Sequence, residues 1–317
     1  MNEVFSYNGY SIRPTAMEDY AAMEALHENV YQKKINKGFY ANKYSRYDIS
    51  LPSVISFVAV DQDNQVIACS SLVPLKMQQQ HQTFIGAQWA DAMVHTAHQK
   101  KGLGFVLCSS CMEKAKEAGI STVFCLPVEA TFNLVTTKLQ HELVSSMLCY
   151  IITISTLPIA SLAAKLKMGN LYTRFTNLLF AKYRKAATPM PSAFSSNYLT
   201  VLRDEQFMAY KEKAGSYCIR VAGSIVWLNI KQGALFIGDM VSPTEASFKQ
   251  AITILKKSCF CAGIKSIIFQ TTRGSRTEAH FSKHYPSMVS YKICAASFRE
   301  ALNVHKLQLT YGDADNF

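Results

Sequence analysis

Hydrophobic positions predict the same order of structural elements twice along the chain. Each half begins with a hairpin of apolar strands, at 56–60 and 66–68 in the first half and at 217–221 and 225–228 in the second. A strand ending in Met-Val follows in each half, then a helix with apolar residues three and four apart, then a short buried strand. This pattern predicts an α/β protein, an α+β arrangement with a mixed sheet flanked by helices.

Three short matches, in one order and at nearly one spacing, indicate an internal duplication. They pair 86–94 with 233–241, 118–124 with 262–269, and 143–145 with 288–290. The second match predicts a glycine at the end of a helix, followed by a buried strand. The second-half helix is predicted to begin at Ser242-Pro243-Thr244-Glu245, a capping box with proline at the first helical position.

Residues 158–191 between the repeats have apolar side chains at helical spacing and six basic side chains, which are Lys165, Lys167, Arg174, Lys182, Arg184 and Lys185. They predict a helical connector; the alternative is a contact with an anionic membrane or with nucleic acid. The uncharged stretch 143–164 is long enough to span a bilayer. Its serines, threonines and proline, with a β-branched run at 147–154, favour a buried strand followed by a helix, so integral membrane insertion is not expected.

The composition is that of a folded globular protein and favours anionic partners. The chain has 317 residues with 33 Lys+Arg against 22 Asp+Glu, a net charge of +11, which favours anionic partners such as nucleotides. A hydrophobic content of 49% excludes a disordered or collagenous chain. The nine cysteines are too sparse for a disulfide scaffold and lack metal-ligand spacing, and no secretory signal opens the chain. We expect reduced thiols, no bound metal and a cytoplasmic protein.

The two repeats differ most between the Met-Val strand and the following helix. The first repeat inserts a longer turn there, which contains Gln99-Lys100-Lys101-Gly102-Leu103-Gly104. Glycines at a helix start let backbone N–H groups approach an anion, and the helix N-terminus adds unpaired donors and a positive dipole end. The two lysines add charge for a phosphate. The turn therefore predicts a pyrophosphate cradle in the first repeat only, although it matches neither a P-loop nor a Rossmann fingerprint.

This order of elements, with Gln-x-x-Gly-x-Gly before the helix, resembles the GNAT acetyltransferase superfamily. The family's opening strand and helix are similar to residues 10–19, and the resemblance covers about 10–155. Residues 198–298 resemble it by repeat only, without the signature. The resemblance implies two GNAT-like domains in tandem with a degenerate second one: 1–157 with the CoA signature, a basic helical connector at 158–193, the degenerate domain at 194–300, and a C-terminal tail at 301–317.

The resemblance implies transfer of an acetyl group from acetyl-CoA to the amine of a small molecule or peptide. The pyrophosphate would lie on the six residues of the turn, Gln99, Lys100, Lys101, Gly102, Leu103 and Gly104. Met93, Val94 and His95 would run beside pantetheine, with the Val94 amide polarising the acetyl carbonyl. Asp91 is the candidate general base, and His95, His98 and Glu129 are alternatives. Asp239 matches Asp91 in a repeat without a cradle, which argues for a structural role.

This chain departs from the family's second signature at two positions. Glu129 and Thr136 stand where the family often has an asparagine and a tyrosine that contact CoA and protonate the leaving thiolate. This departure supports an alternative, a non-catalytic CoA-binding or scaffold protein built on GNAT-like domains. Nucleic acid is not an expected partner, because the basic residues are spread along the chain without an aromatic-rich RNA-binding run. The acceptor and the oligomeric state stay open.

Overall fold

The protein is described by a computed structural model that covers residues 4–157, 159–184, 189–231, 233–300, 302–315 and 317, without the side chains of residues 161, 164 and 170. It divides into two compact units. The first comprises Met1–Val144 with Lys292–Lys306, and the second comprises Ser145–Tyr291 with Leu307–Phe317.

The first unit is a mixed sheet with helices on both faces. Strands β1 to β5 pair as an antiparallel series, β6 lies parallel to β5, and residues 294–297 lie antiparallel to β6. Helix α3 buries its apolar side against one face of this sheet, and α1 and α2 cover the other. The elements are β1 (Phe5–Tyr7), β2 (Tyr10–Pro14), α1 (Tyr20–Tyr31), α2 (Phe39–Lys43), β3 (Ile55–Val60), β4 (Val66–Gln79), β5 (Gln82–Val94), α3 (Leu103–Glu117), β6 (Thr122–Cys125) and α4 (Glu129–Asn133).

The second unit repeats this plan. Strands β9, β10 and β11 are antiparallel, β12 lies parallel to β11, and β7 lies antiparallel to β12. Helix α8 packs its apolar side into the main core of this unit. The elements are β7 (Glu142–Thr153), α5 (Ile159–Lys165), α6 (Gly169–Ala181), β8 (Thr200–Val201), α7 (Glu205–Lys213), β9 (Tyr217–Val221), β10 (Ser224–Lys231), β11 (Ala234–Val241), α8 (Glu245–Ala262), β12 (Ser266–Thr271), α9 (Arg276–Ser282) and β13 (Ser287–Ser297).

The last strand of each repeat belongs to the other repeat's unit. Residues 148–153 of β7, from the first repeat, pair with β12 in the second unit. Residues 294–297 of β13, from the second repeat, pair with β6 in the first unit, where Cys294 is fully buried. Each unit therefore contains a strand encoded by the other half of the chain, so the units do not coincide with the repeats.

The structure confirms the predicted fold class and the order of elements in both repeats. Both helices end at the predicted glycines: Gly119 and Gly263 take left-handed φ values of 75° and 70°, and a short buried strand follows each. The helix start in the second repeat differs from the prediction. Helix α8 begins at Glu245, its capping box joins Thr244 to Ser247, and Glu245 pairs with Lys249 and Lys283 instead.

The segment predicted as a C-terminal tail is not a free extension. Residues 302–306 belong to the first unit, and the described residues after them pack into the second. Tyr311, Asp313 and Phe317 are all buried there. The composition of this segment is as polar as that of a free tail, but the buried guanidinium of Arg203 neutralises the charge of Asp313. Within the described parts of the chain, no helix combines the length and the hydrophobicity that crossing a membrane requires.

Candidate functional site

Strands β5 and β6 separate at the end where the predicted cofactor residues lie. Their parallel pairing runs from Gly86–Thr122 to Gln88–Phe124 and stops there. On the other edge, β5 stays paired with β4 as far as Val94. The second half of β5 therefore has one paired edge and one edge that faces a gap in the first unit's sheet.

A β-bulge marks the point of separation. Asp91 lies opposite Ser71 and Trp89 lies opposite Leu72, which leaves Ala90 without a cross-strand partner. A bulge bends its strand and re-aims the side chains that follow. The bulge follows the last β5–β6 pair, Gln88–Phe124, by two residues, so bulge and separation coincide along β5.

The backbone N–H of Val94 points into this gap. The next residue, His95, donates its N–H to Ile67 O of β4 at 2.8 Å. Successive N–H groups of a strand point to opposite edges, so the N–H and C=O of Val94 face away from β4. The Val94 carbonyl accepts a hydrogen bond on that edge from Gln99 Nε2 at 3.2 Å, which brings the glycine turn to the mouth of the gap.

The glycine turn leads directly into the N-terminus of α3. Lys100 and Gly102 have left-handed φ values of 63° and 81°. This conformation is strained for a lysine and tolerated by a glycine. Gly102 is the N-cap and has no side chain to cap the helix, so the first-turn amides keep their donors for another acceptor. Strained backbone that presents free amides is typical of an anion-binding loop.

Sequence reasoning missed the two tyrosines that border this turn. The Tyr7 hydroxyl oxygen lies 2.4 Å from where a Cβ of Gly102 would stand, so a larger residue would displace it. The Tyr10 hydroxyl accepts a hydrogen bond from Lys101 Nζ at 2.9 Å and lies 2.9 Å from His98 Nδ1. Both tyrosines come from the opening hairpin, far from the turn in sequence, and no local pattern indicates the contact.

Asp91, the candidate base, is buried and already engaged. Lys43 Nζ lies 3.0 Å from its Oδ1, and the Tyr44 hydroxyl lies 2.9 Å from its Oδ2. The Tyr44 hydroxyl also lies 2.6 Å from Ser71 Oγ. Burial, followed by the nearby Asp91 carboxylate, raises the pKa of Tyr44 well above its usual range, so the phenol keeps its proton. The Lys43 nitrogen lies 3.0 Å from Oδ2 as well, so both oxygens of Asp91 face the ammonium and Oδ2 also accepts from the neutral phenol.

The other predicted site residues lie at the edges of the gap or away from it. Met93 is buried under α2, with Tyr40 Oη 4.0 Å from its sulfur. His95 Nδ1 accepts from Ala97 N at 3.3 Å and thereby caps the short turn at 96–98. Glu129 has an 87% exposed side chain and pairs with Lys292 at 3.2 Å. Thr136 donates to its own helical turn, at Phe132 O, over 2.9 Å.

The second unit has the same gap and bulge. The parallel pairing of β11 and β12 ends at Ile237–Phe269, and Gly238 has no partner in the β10–β11 register. The next residue, Asp239, therefore matches Asp91. The pairing register thus agrees with the sequence match of these two aspartates, each of which directly follows its bulge.

In the second unit the gap and the helix start are filled by the chain itself. The Thr277 hydroxyl of α9 donates to the Met240 carbonyl, on the strand edge that β12 leaves free. The Thr244 side chain caps the N-terminus of α8. Asp239 pairs with Arg203, which also binds Asp313 of the C-terminal segment. The three side chains are at most 2% exposed.

Comparisons with known proteins agree with this architecture. Residues 11–133 match the family model described as an acetyltransferase (GNAT) domain. No curated protein matches the chain. Similar solved structures include a candidate N-acyltransferase from Enterococcus faecalis V583, with a TM-score of 0.57, 10% identity and coverage of 91% of this chain and 72% of that one. A candidate acetyltransferase from Pyrococcus horikoshii has a TM-score of 0.57 and 12% identity, over 99% and 97% of the two chains.

A GCN5-related N-acetyltransferase from Kribbella flavida is also similar, with a TM-score of 0.54, 10% identity and coverage of 91% and 71%. At these identities the structures show a common fold. Among the described residues, no three His, Cys, Asp or Glu side chains are grouped in a way that could hold a metal ion.

Proposed function

We propose that this chain, whose residues 11–133 carry a GNAT acetyltransferase domain and whose fold is that of GNAT enzymes, transfers an acetyl group from acetyl-CoA to an amine. The observation that carries the proposal is the uncapped N-terminus of α3 beside the gap between β5 and β6. The amides of the glycine turn would hold the pyrophosphate, with Lys100 and Lys101 adding charge. The first-turn amides fit that role because no side chain among the described residues caps them.

Acetyl-CoA, when bound, supplies an activated thioester. The Val94 N–H, which points into the gap, would donate to the thioester carbonyl as charge develops on it. Asp91 lies three residues earlier on the same strand and binds the Lys43 ammonium, whose nitrogen is 3.0 Å from each carboxylate oxygen. An acceptor amine that displaces Lys43 would find the same carboxylate, which can orient its ammonium and take its proton. His95, His98 and Glu129 remain alternatives for the base.

The second unit is proposed to be non-catalytic. Its helix start is capped by Thr244, its gap is filled by Thr277, and its aspartate is neutralised by Arg203. A CoA pyrophosphate would compete there with hydrogen bonds that the folded chain already makes. We expect one CoA per chain, in the first unit.

A second candidate function, CoA binding without turnover, is favoured by one observation. The Thr136 hydroxyl is used by its own helix, and Glu129 is turned to solvent with Lys292. Neither supplies the acid that the family often uses for the leaving thiolate. A protein that binds acetyl-CoA stoichiometrically but releases no free thiol with any amine would have this function.

Gly104→Asp tests the cradle without threatening the fold. A Cβ at Gly104 meets its nearest atoms at 3.8 Å and 3.9 Å, which is ordinary contact. A carboxylate in the first helical turn favours the helix by about 0.5 kcal/mol but occupies the amides that an anion needs. Calorimetric CoA affinity should fall at least about tenfold while the melting temperature holds or rises.

Gly104→Ala is the matched control. It removes the glycine without adding charge and should stay within about threefold of the parent affinity, since one neutral methyl group leaves the amides free. Unchanged CoA affinity in Gly104→Asp would contradict the cradle.

A further inference from the structure

Helices α5 and α6 of the second unit, with the residues that flank α5, carry apolar side chains that are exposed to solvent. Seven are more than a third exposed, and Leu178 reaches 74%. We call this set the α5–α6 face; its members are Leu157, Leu162, Leu166, Met168, Leu171, Phe175 and Leu178. Large contiguous apolar surfaces are uncommon on a monomer and mark interaction sites.

The face is distinct from the side by which α6 is anchored to its unit. Thr176 and Phe180 of α6 are buried, and the Tyr172 hydroxyl donates to Ala262 O at 3.0 Å. Leu171, Phe175 and Leu178 follow one another at i, i+4 and i+7, so they form a second stripe about 120° around the helix from the buried one. One side of helix α6 therefore packs against its own unit, and another side exposes apolar side chains to solvent.

The segment that carries this face has basic but no acidic residues. No Asp or Glu occurs from Leu143 to Arg203. Lys165, Lys167 and Arg174 are exposed, and Lys182 lies over the Tyr183 ring at the C-terminal end of α6. An apolar stripe flanked by basic residues is the pattern of a helix that lies in the interface of an anionic bilayer.

We propose that the α5–α6 face is a peripheral docking surface for an anionic lipid bilayer. Helix α6 has 13 residues, too few to cross a membrane, so it would lie flat with its leucines among the acyl chains and its basic residues at the headgroups. The basic residues beside the apolar stripe are complementary in charge to anionic headgroups, which favours a bilayer over the other occupants. A second copy of the chain would bring the same positive face against itself, and nucleic acid would leave the apolar stripe without a partner.

The test measures flotation of the full chain with vesicles of phosphatidylcholine alone or with about 30% phosphatidylglycerol, the anionic lipid. We expect binding to the anionic vesicles, with release as salt rises, because screening weakens the headgroup contacts. Leu171→Gln with Phe175→Gln and Leu178→Gln should weaken partitioning at least about tenfold, since the lost apolar burial is that of three large side chains. Lys165→Gln with Lys167→Gln and Arg174→Gln should weaken it about fivefold for each charge.

Matched controls lie on the first unit. Met17, Ile49 and Val128 are 75%, 89% and 60% exposed, against 56%, 39% and 74% for the α6 triple, so their combined change to Gln removes apolar side chains that are more exposed on average. Lys33, Lys34 and Lys37 are exposed and provide the charge control. Both control triples should partition like the parent.

A fluorescence readout separates insertion from surface adsorption. Trp89 and Trp227 are both buried, so a Leu178→Trp change adds the solvent-exposed reporter. Its emission should shift to shorter wavelength with anionic vesicles. Equal partitioning of the parent and the apolar triple would overturn the proposal. So would a parent chain that sediments as a dimer, becomes a monomer in the apolar triple and binds no vesicle.

Discussion

The ammonium nitrogen of Lys43 lies 3.0 Å from the carboxylate oxygen Oδ1 of Asp91, and the two side chains are only 11% and 7% exposed. Removing one partner leaves the other as an uncompensated charge in a region of low dielectric constant. Asp91 is therefore both the candidate base of the site and the anchor that fastens α2 to the sheet.

Lys43→Met should lower the free energy of unfolding by about 2–4 kcal/mol, because the Asp91 carboxylate stays behind without its cation. Adding Asp91→Asn should restore part of that loss. Urea unfolding of the two single variants and the double variant gives the coupling free energy. Additive losses would show that the pair contributes no interaction of its own.

Arg203→Met in the second unit should be more damaging. The guanidinium holds two carboxylates, and all three groups are at most 2% exposed. We expect a loss of about 3–5 kcal/mol in the free energy of unfolding, because two buried anions would lose their shared cation. Arg220→Met, at an exposed position, is the control and should change it by less than about 0.5 kcal/mol.

CoA binding offers a second measurement on the Arg203 variant. At a temperature where the variant is folded, its affinity should equal that of the parent, because the proposed cradle lies in the first unit. A tenfold or larger loss of affinity in the folded variant would place part of the CoA site in the second unit.

Stability should fall as the pH falls below neutrality, in part because of His141. Burial lowers the pKa of this histidine, and its Nε2 is buried without a hydrogen-bond partner among the described residues. The unfolded chain then binds more protons than the folded chain as the pH drops through about 6.5, so protonation favours unfolding. His141→Phe should flatten the decrease in unfolding free energy between pH 7 and pH 5, as measured by urea titrations at each pH.

His305→Phe is the control for this effect, because His305 is 59% exposed and lies beside Glu142. Burial also lowers the pKa of His27 and His280, so part of the slope should persist in His141→Phe. An identical slope in the parent and in His141→Phe would contradict the assignment.

Thiol labelling tests the packing of both units at once. Of the nine cysteines, Cys261 is exposed and the other eight are buried. Burial raises the pKa of Cys108 and of Cys259 to about 12, which keeps these thiols protonated and unreactive at pH 8. We expect one fast-reacting thiol per native chain and none after Cys261→Ser. Two or more fast thiols in the parent would contradict the described cores.

Periodicity along the chain is enough to predict the elements, their order and the helix-ending glycines, because each depends on a few adjacent residues. The contacts that shape the site are not local. Lys43 and Asp91 are 48 residues apart, and Tyr10 and Lys101 are 91 apart. The bulge at Ala90 depends on which residue of β4 faces which residue of β5, and no residue in the strand itself marks it.

The C-terminal segment shows why composition misleads at such places. Gly312, Asp313 and Asp315 look like a solvated end of the chain. Asp313 is nevertheless 2% exposed, because Arg203, more than a hundred residues earlier, supplies the opposite charge inside the second unit. A buried ion pair between distant residues has no local sequence pattern.

The exchange of β7 and β13 sets when the protein can fold during its synthesis. The first unit includes Lys292–Lys306, so its sheet stays one strand short after Val144 has left the ribosome. About 150 further residues must be made first, which takes roughly 7–30 s at about 5–20 residues per second. During that interval β6 lacks the strand that pairs with it at 294–297, and an unpaired strand edge is a template for wrong pairing with another chain.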